Sequence, residues 1–383
     1  MPDSLPTGVQ RDALRVGDPT FEDIVERIAE ASDEIERQRR IPVDIAGDMI
    51  DEGLFRLLVP GSLGGGEADY LDYLRMVRAI AAADGSTGWC FNQNNILGTM
   101  ASLMPRALAE EVWSDPRAVL CNGPPQFAQF AEVEGGYSLT GRWNFSSGSP
   151  QANWAVAISR VADADTMTFI IPKEQVTFFD SWQVNGLRGT GSFSFETKDL
   201  FVPAHRSYVE SRGPNESGPL YLIPRGLFFG SGFGNVALGV ARSALDLARE
   251  AALRKTPQEQ TLLRDQPAIQ SDIGRAEALW GAAAAFLNEK AERLWRSAVE
   301  DGFISMEERV DLRLASTHAI RQASEVVDIA YGVFGATAIF ETSPIQRKFQ
   351  DAHAITQQIQ GRLEHYQTVG QFYLGLEPRA RLI

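Results

Sequence analysis

Apolar residues recur at three- and four-residue steps near both ends of the chain and at alternate positions in its middle. Phe21, Ile24, Ile28, Ala31 and Ile35 fall on one face, as a helix buried on one side requires. The next helix places Pro42 in its first turn, where a missing N–H costs nothing, and runs through Ile45, Met49 and Leu54, so 20–58 predicts two helices. Residues 59–70, rich in glycine, predict a loop, and 70–83 a helix ending in DGSTGW (84–89); 90–114 is again helical, interrupted at Pro105. Near Ala118 the period changes. Tyr137 to Trp143 alternate after a Gly135-Gly136 turn signal, and 154–161, 167–172, 176–182 and 192–203 are further strand candidates. Short strands separated by turn residues predict a small barrel or sandwich. From Leu227 the helical period returns. The first stretch has many small residues, 268–299 and 306–334 are long amphipathic segments, and 344–375 is a last helix broken near Gly361. The expected organisation is a tail (1–19), an N-terminal helical domain (20–117), a central β domain (118–222) and a C-terminal helical bundle (223–383). The fold class is mostly α with a central β domain.

At 383 residues the chain exceeds one ordinary core, so two or three domains are expected. A hydrophobic content of 44% and a charged content of 22% are those of a soluble globular protein. No apolar run approaches the roughly 20 residues that span a bilayer, and MPDSLPTGVQRD has neither the basic nor the apolar region of a signal peptide. Cys90 and Cys121 give no disulfide framework or metal pattern, which fits a reducing cytoplasm. A formal charge of −14 argues against nucleic acid or an anionic membrane as partner.

Several chemistries are disfavoured. GSLGGGE (61–67) lacks the Lys-Ser/Thr of a phosphate loop. No GxGxxG sits at a strand-to-helix turn, so a Rossmann nicotinamide site is not expected. None of His205, His318, His353 and His365 pairs with another His, Cys or carboxylate at ligand spacing except, loosely, His353 with Asp351, and residues two apart do not share a helix face. No metal site is expected. No GxSxG elbow marks a nucleophilic serine.

Two cassettes carry positive information: GRWNFSSGSPQANW (141–154) and GLRGTGSFSFETKDLFVP (186–203). The first resembles the flavin-contacting strand pair of acyl-CoA dehydrogenases, roughly G-x-K-x-W-I-T-N-G-x-x-A-x-W. Its wording, GxWxFxSG, resembles the flavin-dependent monooxygenase branch of that family. The resemblance implies an N-terminal helical domain, a middle β-barrel and a C-terminal four-helix bundle, assembled as a homotetramer with flavin between subunits. It implies the oxygenase component of a two-component system. Reduced FMN or FADH2 from a separate NAD(P)H-dependent reductase would react with O2 to a C4a-hydroperoxide, and one oxygen would pass to a small aromatic substrate. Phe145 falls at the flavin-stacking position and Ser147 where a hydroxyl meets flavin N5, with Ser146 and Gly148 completing the turn. A hydroxyl there and a dry aromatic wall would protect the adduct. DGSTGW and GLRGTGS are also similar to this branch. They make Trp89, Asn92 and Asn94 candidate substrate-pocket residues, although Asn92 and Asn94 cannot both face one side of a helix, and Arg188 and Thr190 flavin neighbours. Arg254 matches an arginine that reaches flavin phosphate across a subunit boundary, and a guanidinium fork suits phosphate. Residues 331–358 resemble the final family signature, with Gly335, Ser343, Pro344, Arg347 and Asp351 matching.

The chain departs from the dehydrogenases. Their glutamate base, eight residues past the signature aspartate, is Ile359 here, and their T-E-P-G-A-G-S-D loop is replaced by CNGPPQFAQFAEVEGG (121–136). Thioester dehydrogenation is disfavoured. The histidine that many aromatic hydroxylases place seven residues past that aspartate is Gln358, which can orient substrate but cannot act as a base near pH 7. Either the substrate needs no phenolate, or another group such as His353 or His365 serves. N- or S-oxygenation, a flavin oxidase or dehydrogenase of the same fold, and a scaffold without flavin are the alternatives.

Overall fold

The computed structural model describes residues 13–160, 166–210 and 215–378. Residues 1–12 of the expected tail, and Val161 at the end of one strand candidate, lie outside these. Three helices, not two, occupy the first segment: α1 (Pro19–Glu30), α2 (Ser32–Gln38) and α3 (Val43–Asp51). Ala31 takes φ −84° and ψ 2°, turning the chain so that Ile35 stays buried alongside Phe21, Ile24 and Ile28 on a new axis. α3 stops before Leu54 because Gly53 adopts φ 72°, a conformation that ends helices.

α4 (Tyr70–Ala83) begins at Asp69, whose carboxylate accepts from the N–H groups of Leu71 and Asp72. DGSTGW does not end this helix; it begins the next, α5 (Gly85–Gly98). The Asp84 carboxylate accepts from Thr87 N (2.7 Å) and Thr87 Oγ1 (2.8 Å), satisfying a donor that a helix start would leave open. α6 (Arg106–Trp113) starts after Pro105.

Among the described residues eight strands follow: β1 (Leu120–Asn122), β2 (Pro125–Val133), β3 (Gly136–Ser146), β4 (Trp154–Arg160), β5 (Thr166–Pro172), β6 (Thr177–Phe179), β7 (Phe193–Pro203) and β8 (Ser207–Val209). They form two four-stranded sheets, ordered β1-β4-β5-β8 and β2-β3-β7-β6. Leu139, Trp143, Ala155, Ala157, Phe169 and Phe195 fill the space between them. β2 is a strand within the segment that replaces the dehydrogenase loop. Its outer residues are exposed, Phe127 among them, so the alternation that marks a half-buried strand is weak there. The β3–β7 register shifts between Trp143 and Ser146, and Ser146 pairs with Phe193.

The last segment holds α7 (Arg225–Arg254), α8 (Pro267–Glu300), α9 (Met306–Phe334), α10 (Pro344–Thr356) and α11 (Glu364–Tyr373). α4 and α5 pack on α7, so the first and last helical segments share one hydrophobic core. Small residues permit this approach: a Cβ on Gly232 would lie 1.8 Å from Asn92 Oδ1. Among the described residues no helix is long and apolar enough to cross a membrane.

Candidate functional site

The turn after β3 meets the first turns of α5 and the Arg188–Thr190 segment, which is one 3₁₀ turn. The register shift in β3 puts Phe145 at φ 61°, a conformation uncommon for a bulky residue and a mark of functional constraint. Its ring is turned outward and is 60% exposed, while Ser146 and Ser147 on either side of the bend are buried. Gly148, at φ 74°, closes the turn on Asn94: a Cβ there would lie 2.2 Å from Asn94 Oδ1.

A chain of hydrogen bonds runs through this turn. Trp89 Nε1 donates to Ser147 Oγ at 3.0 Å. Ser147 Oγ lies 2.8 Å from Ser192 Oγ, which lies 2.6 Å from Thr190 Oγ1. Thr190 Oγ1 donates to the Leu187 carbonyl at 2.8 Å. All five residues are buried. Trp89 is held by stacking on Phe233 of α7, ring centroids 4.0 Å apart. Ser146 Oγ has no hydrogen-bond partner among the described residues.

An aromatic wall stands over the turn. Trp182 meets Phe145 edge to face at 5.9 Å and donates to the Leu187 carbonyl at 3.0 Å. Arg39 pins this wall through Asp180 (2.6 Å) and the Trp182 carbonyl (3.1 Å). From below, Asp351 of α10 accepts from Leu187 N at 2.6 Å, which anchors the residue whose carbonyl ends the hydroxyl chain. Burial raises the Asp351 carboxyl to about 7, and Asp84 adds to this while the Leu187 N–H opposes it. Burial also lowers the Lys348 amine, against the pull of Asp84 and Asp351. Burial raises the Glu36 carboxyl too, against the pull of Arg188. Arg188 Nε lies 3.2 Å from Glu36 Oε1, an ion pair not aligned as a hydrogen bond.

The structure thus brings Trp89, Phe145, Ser146, Ser147, Thr190 and Asn94 together. Asn94 Nδ2 donates to the Leu120 carbonyl (2.8 Å) and the Ser147 carbonyl (3.3 Å). Asn92 is fully buried on the opposite side of α5, accepting from Tyr73 Oη at 2.9 Å. Arg188 is half-buried on the outer side of the 3₁₀ turn, facing α2. Gln358 is half-buried, and its Oε1 accepts from Gln360 N at 2.6 Å to start a 3₁₀ turn. His353 is half-exposed and pairs with Asp328 at 2.9 Å. His365 is buried and lies 2.8 Å from the Ile359 carbonyl through Nε2. Its Nδ1 has no hydrogen-bond partner among the described residues, and burial lowers its pKa.

Arg254 and Gly335 form a second group. Gly335, at φ 57°, ends α9, and Lys255 next to Arg254 reaches Phe334 O (2.5 Å) and Thr337 Oγ1 (2.8 Å). Arg254 is exposed, with Glu250 at 2.7 Å. It lies 21 residues beyond Phe233 on α7, roughly 31 Å at 1.5 Å per residue. Ser192, Trp182 and Phe233 had no signal of their own: they reach the site only through strand pairing and helix packing.

These groups fit a flavin. An outward aromatic ring offers a face to a planar ring system, Ser146 Oγ is an unspent polar atom, and Ser147 Oγ keeps one hydrogen-bonding position beyond Trp89 and Ser192. Phe145, Ser146 and Ser147 would hold it.

Residues 20–105 match the family model for the acyl-CoA dehydrogenase N-terminal domain, and residues 231–361 that for the acyl-CoA dehydrogenase C-terminal domain. The chain is 32% identical to an indole-3-acetate monooxygenase of Pseudomonas putida over 369 residues, covering 94% of each chain. It is 31% identical to the flavin-dependent monooxygenase oxygenase subunit HsaA of Rhodococcus jostii (strain RHA1), over 85% of this chain and 90% of that one. Among solved structures it is similar to XiaF from Streptomyces sp. in complex with FADH2 and glycerol, with a TM-score of 0.85, 27% identity, and coverage of 94% and 96%.

Proposed function

Because the chain belongs to the acyl-CoA dehydrogenase family, among its flavin-dependent monooxygenase oxygenase components, we propose that it hydroxylates a small aromatic substrate. It is a monooxygenase that uses reduced flavin, and it works with a separate partner component. We take that component to be an NAD(P)H-dependent flavin reductase, the assembly to be a homotetramer, and the compartment to be the cytoplasm. When bound, reduced flavin supplies two electrons with which one oxygen atom of O2 is transferred to substrate and the other leaves as water.

The observation that carries the proposal is the buried hydroxyl chain from Trp89 through Ser147 to Thr190, set beside the outward ring of Phe145. Ser147 orients the ring at its N5 edge. Phe145 and Trp182 keep water from the face they cover, where water would divert oxygen to free peroxide. Ser146 supplies a further polar atom. Trp89 and Asn94 border the substrate side, and Gln358 orients substrate with its amide. Arg254 neutralises flavin phosphate from a neighbouring subunit. His365, held neutral by burial, is the better placed of the two histidines for accepting a proton, since His353 is already paired with Asp328.

The test is to supply the purified chain with a flavin reductase, NADH, FAD or FMN, ¹⁸O₂ and a panel of aromatic acids, phenols and indoles. One labelled oxygen atom in a hydroxylated product, with little free peroxide, is the expected result. Tightly bound FAD that substrate bleaches without oxygen would instead make the chain an oxidase or dehydrogenase.

A further inference from the structure

Proton counting along the buried hydroxyl chain determines what Ser147 can offer to a ligand. A tryptophan Nε1 only donates and a carbonyl oxygen only accepts, whereas each hydroxyl has one proton and two lone pairs. The chain is closed at both ends by such one-way groups: Trp89 Nε1 at the start and the Leu187 carbonyl at the finish. Thr190 therefore gives its proton to Leu187 O at 2.8 Å. The 2.6 Å contact between Thr190 and Ser192 is then a bond donated by Ser192. With its proton spent, Ser192 must accept at its 2.8 Å contact with Ser147, so Ser147 is the donor there. Ser147 also accepts from Trp89 at 3.0 Å. One lone pair, and no proton, is left to it. Running the chain the other way would set Thr190 Oγ1 against Leu187 O with no proton between them and leave the buried Ser147 proton without a partner among the described residues, a loss of about 1–3 kcal/mol.

We infer that Ser192 and Thr190 are positioning residues that lock the Ser147 hydroxyl as an acceptor, and so make the site select the reduced form of flavin. The inference rests on the proposed contact between Ser147 and flavin N5. Reduced flavin carries a proton at N5 and oxidised flavin carries none, so an acceptor bonds to the first and meets a lone pair of the second. Bonds within such a low-dielectric chain reinforce one another, which makes the direction a property of the whole chain and not of Ser147 alone. The selection is useful to a protein that takes flavin from another component: oxidised flavin, once formed, loses its bond and leaves.

The experiment is an anaerobic titration of the full chain with oxidised and dithionite-reduced FAD and FMN, with the reduction potential of bound flavin as a second readout. The parent is expected to bind reduced flavin at least about tenfold more tightly, equivalent to a rise in potential of about 30 mV for a two-electron couple. Ser192→Ala frees the Ser147 proton, and Thr190→Val turns Ser192 back toward Ser147. Both are expected to lower the ratio about tenfold and return the potential toward that of free flavin, while Thr190→Ser preserves it. A purely structural role would weaken both redox forms alike and leave the potential in place, and that outcome overturns the inference while the flavin reading stands. Equal affinity of the parent for both forms also overturns it. Failure of the parent to bind either form would overturn both this inference and the flavin site.

Discussion

Ser147 is committed to two neighbours, and its substitution therefore has two effects. Ser147→Ala is expected to divert oxygen from product to free peroxide, because the hydroxyl at the ring edge is gone. It also strands buried Trp89 Nε1, which costs about 1–3 kcal/mol of stability. A peroxide assay with product analysis checks the first effect and a urea unfolding curve the second. Ser147 was legible in the sequence because GRWNFSSG carries it with its neighbours. Ser192 was not, although it lies in the second cassette, because its contact spans 45 residues and depends on a register shift between β3 and β7 that no local pattern encodes. Asn92 and Asn94 show the limit of reading side from period: the helix separates them as expected, yet both are engaged by protein groups.

At the scale of elements, two short devices hold the site. The Asp84 cap starts α5 one turn before Trp89. Asp84→Ala is expected to cost about 0.5–2 kcal/mol in a denaturant titration and to weaken flavin affinity, since Trp89 sits in the turns that the cap sets. The sequence showed DGSTGW as a boundary but not its direction, because an Asp followed by Gly serves as well to stop one helix as to start another. The second device is the Asp351 bond to Leu187 N. With its carboxyl raised to about 7 from an unfolded value near 3.9, the native state holds a proton across that window that the unfolded chain has released. Stability therefore falls as pH rises toward 7 and levels off above it. Asp351→Asn keeps an acceptor for Leu187 and removes the buried charge. Its stability is expected to gain on the parent between about pH 4 and 7, by at most about 1.4 kcal/mol per unit, seen as a growing difference in melting temperature. A parallel pair of melting curves checks this.

For the whole molecule, helix period, strand alternation and motif order were enough to read a helical, β, helical order. What they could not supply was the shared core of α4, α5 and α7, a product of long-range packing. α7 also separates Phe233 from Arg254 by roughly 31 Å, so the phosphate role proposed for Arg254 from the family resemblance is directed at a neighbouring subunit's flavin. Arg254→Ala is expected to weaken reduced-flavin binding about tenfold. Mixed assemblies of Arg254→Ala and Ser147→Ala chains are expected to regain roughly a quarter of parent activity, because a symmetric interface pairs an intact Ser147 from one chain with an intact Arg254 from the other. No recovery on co-expression would place both residues in one chain's site.

The tightness of α7 also bears on how this scaffold can be engineered. A side chain at Gly232 would meet Asn92 at 1.8 Å, and Phe233 is locked against Trp89, so libraries that vary this wall would mostly yield unfolded protein. Phe145 is 60% exposed, and Trp182 touches it only by an edge. That side is where directed evolution has freedom to reshape the cover over the flavin, and a screen begun there would sample changes that the core does not veto.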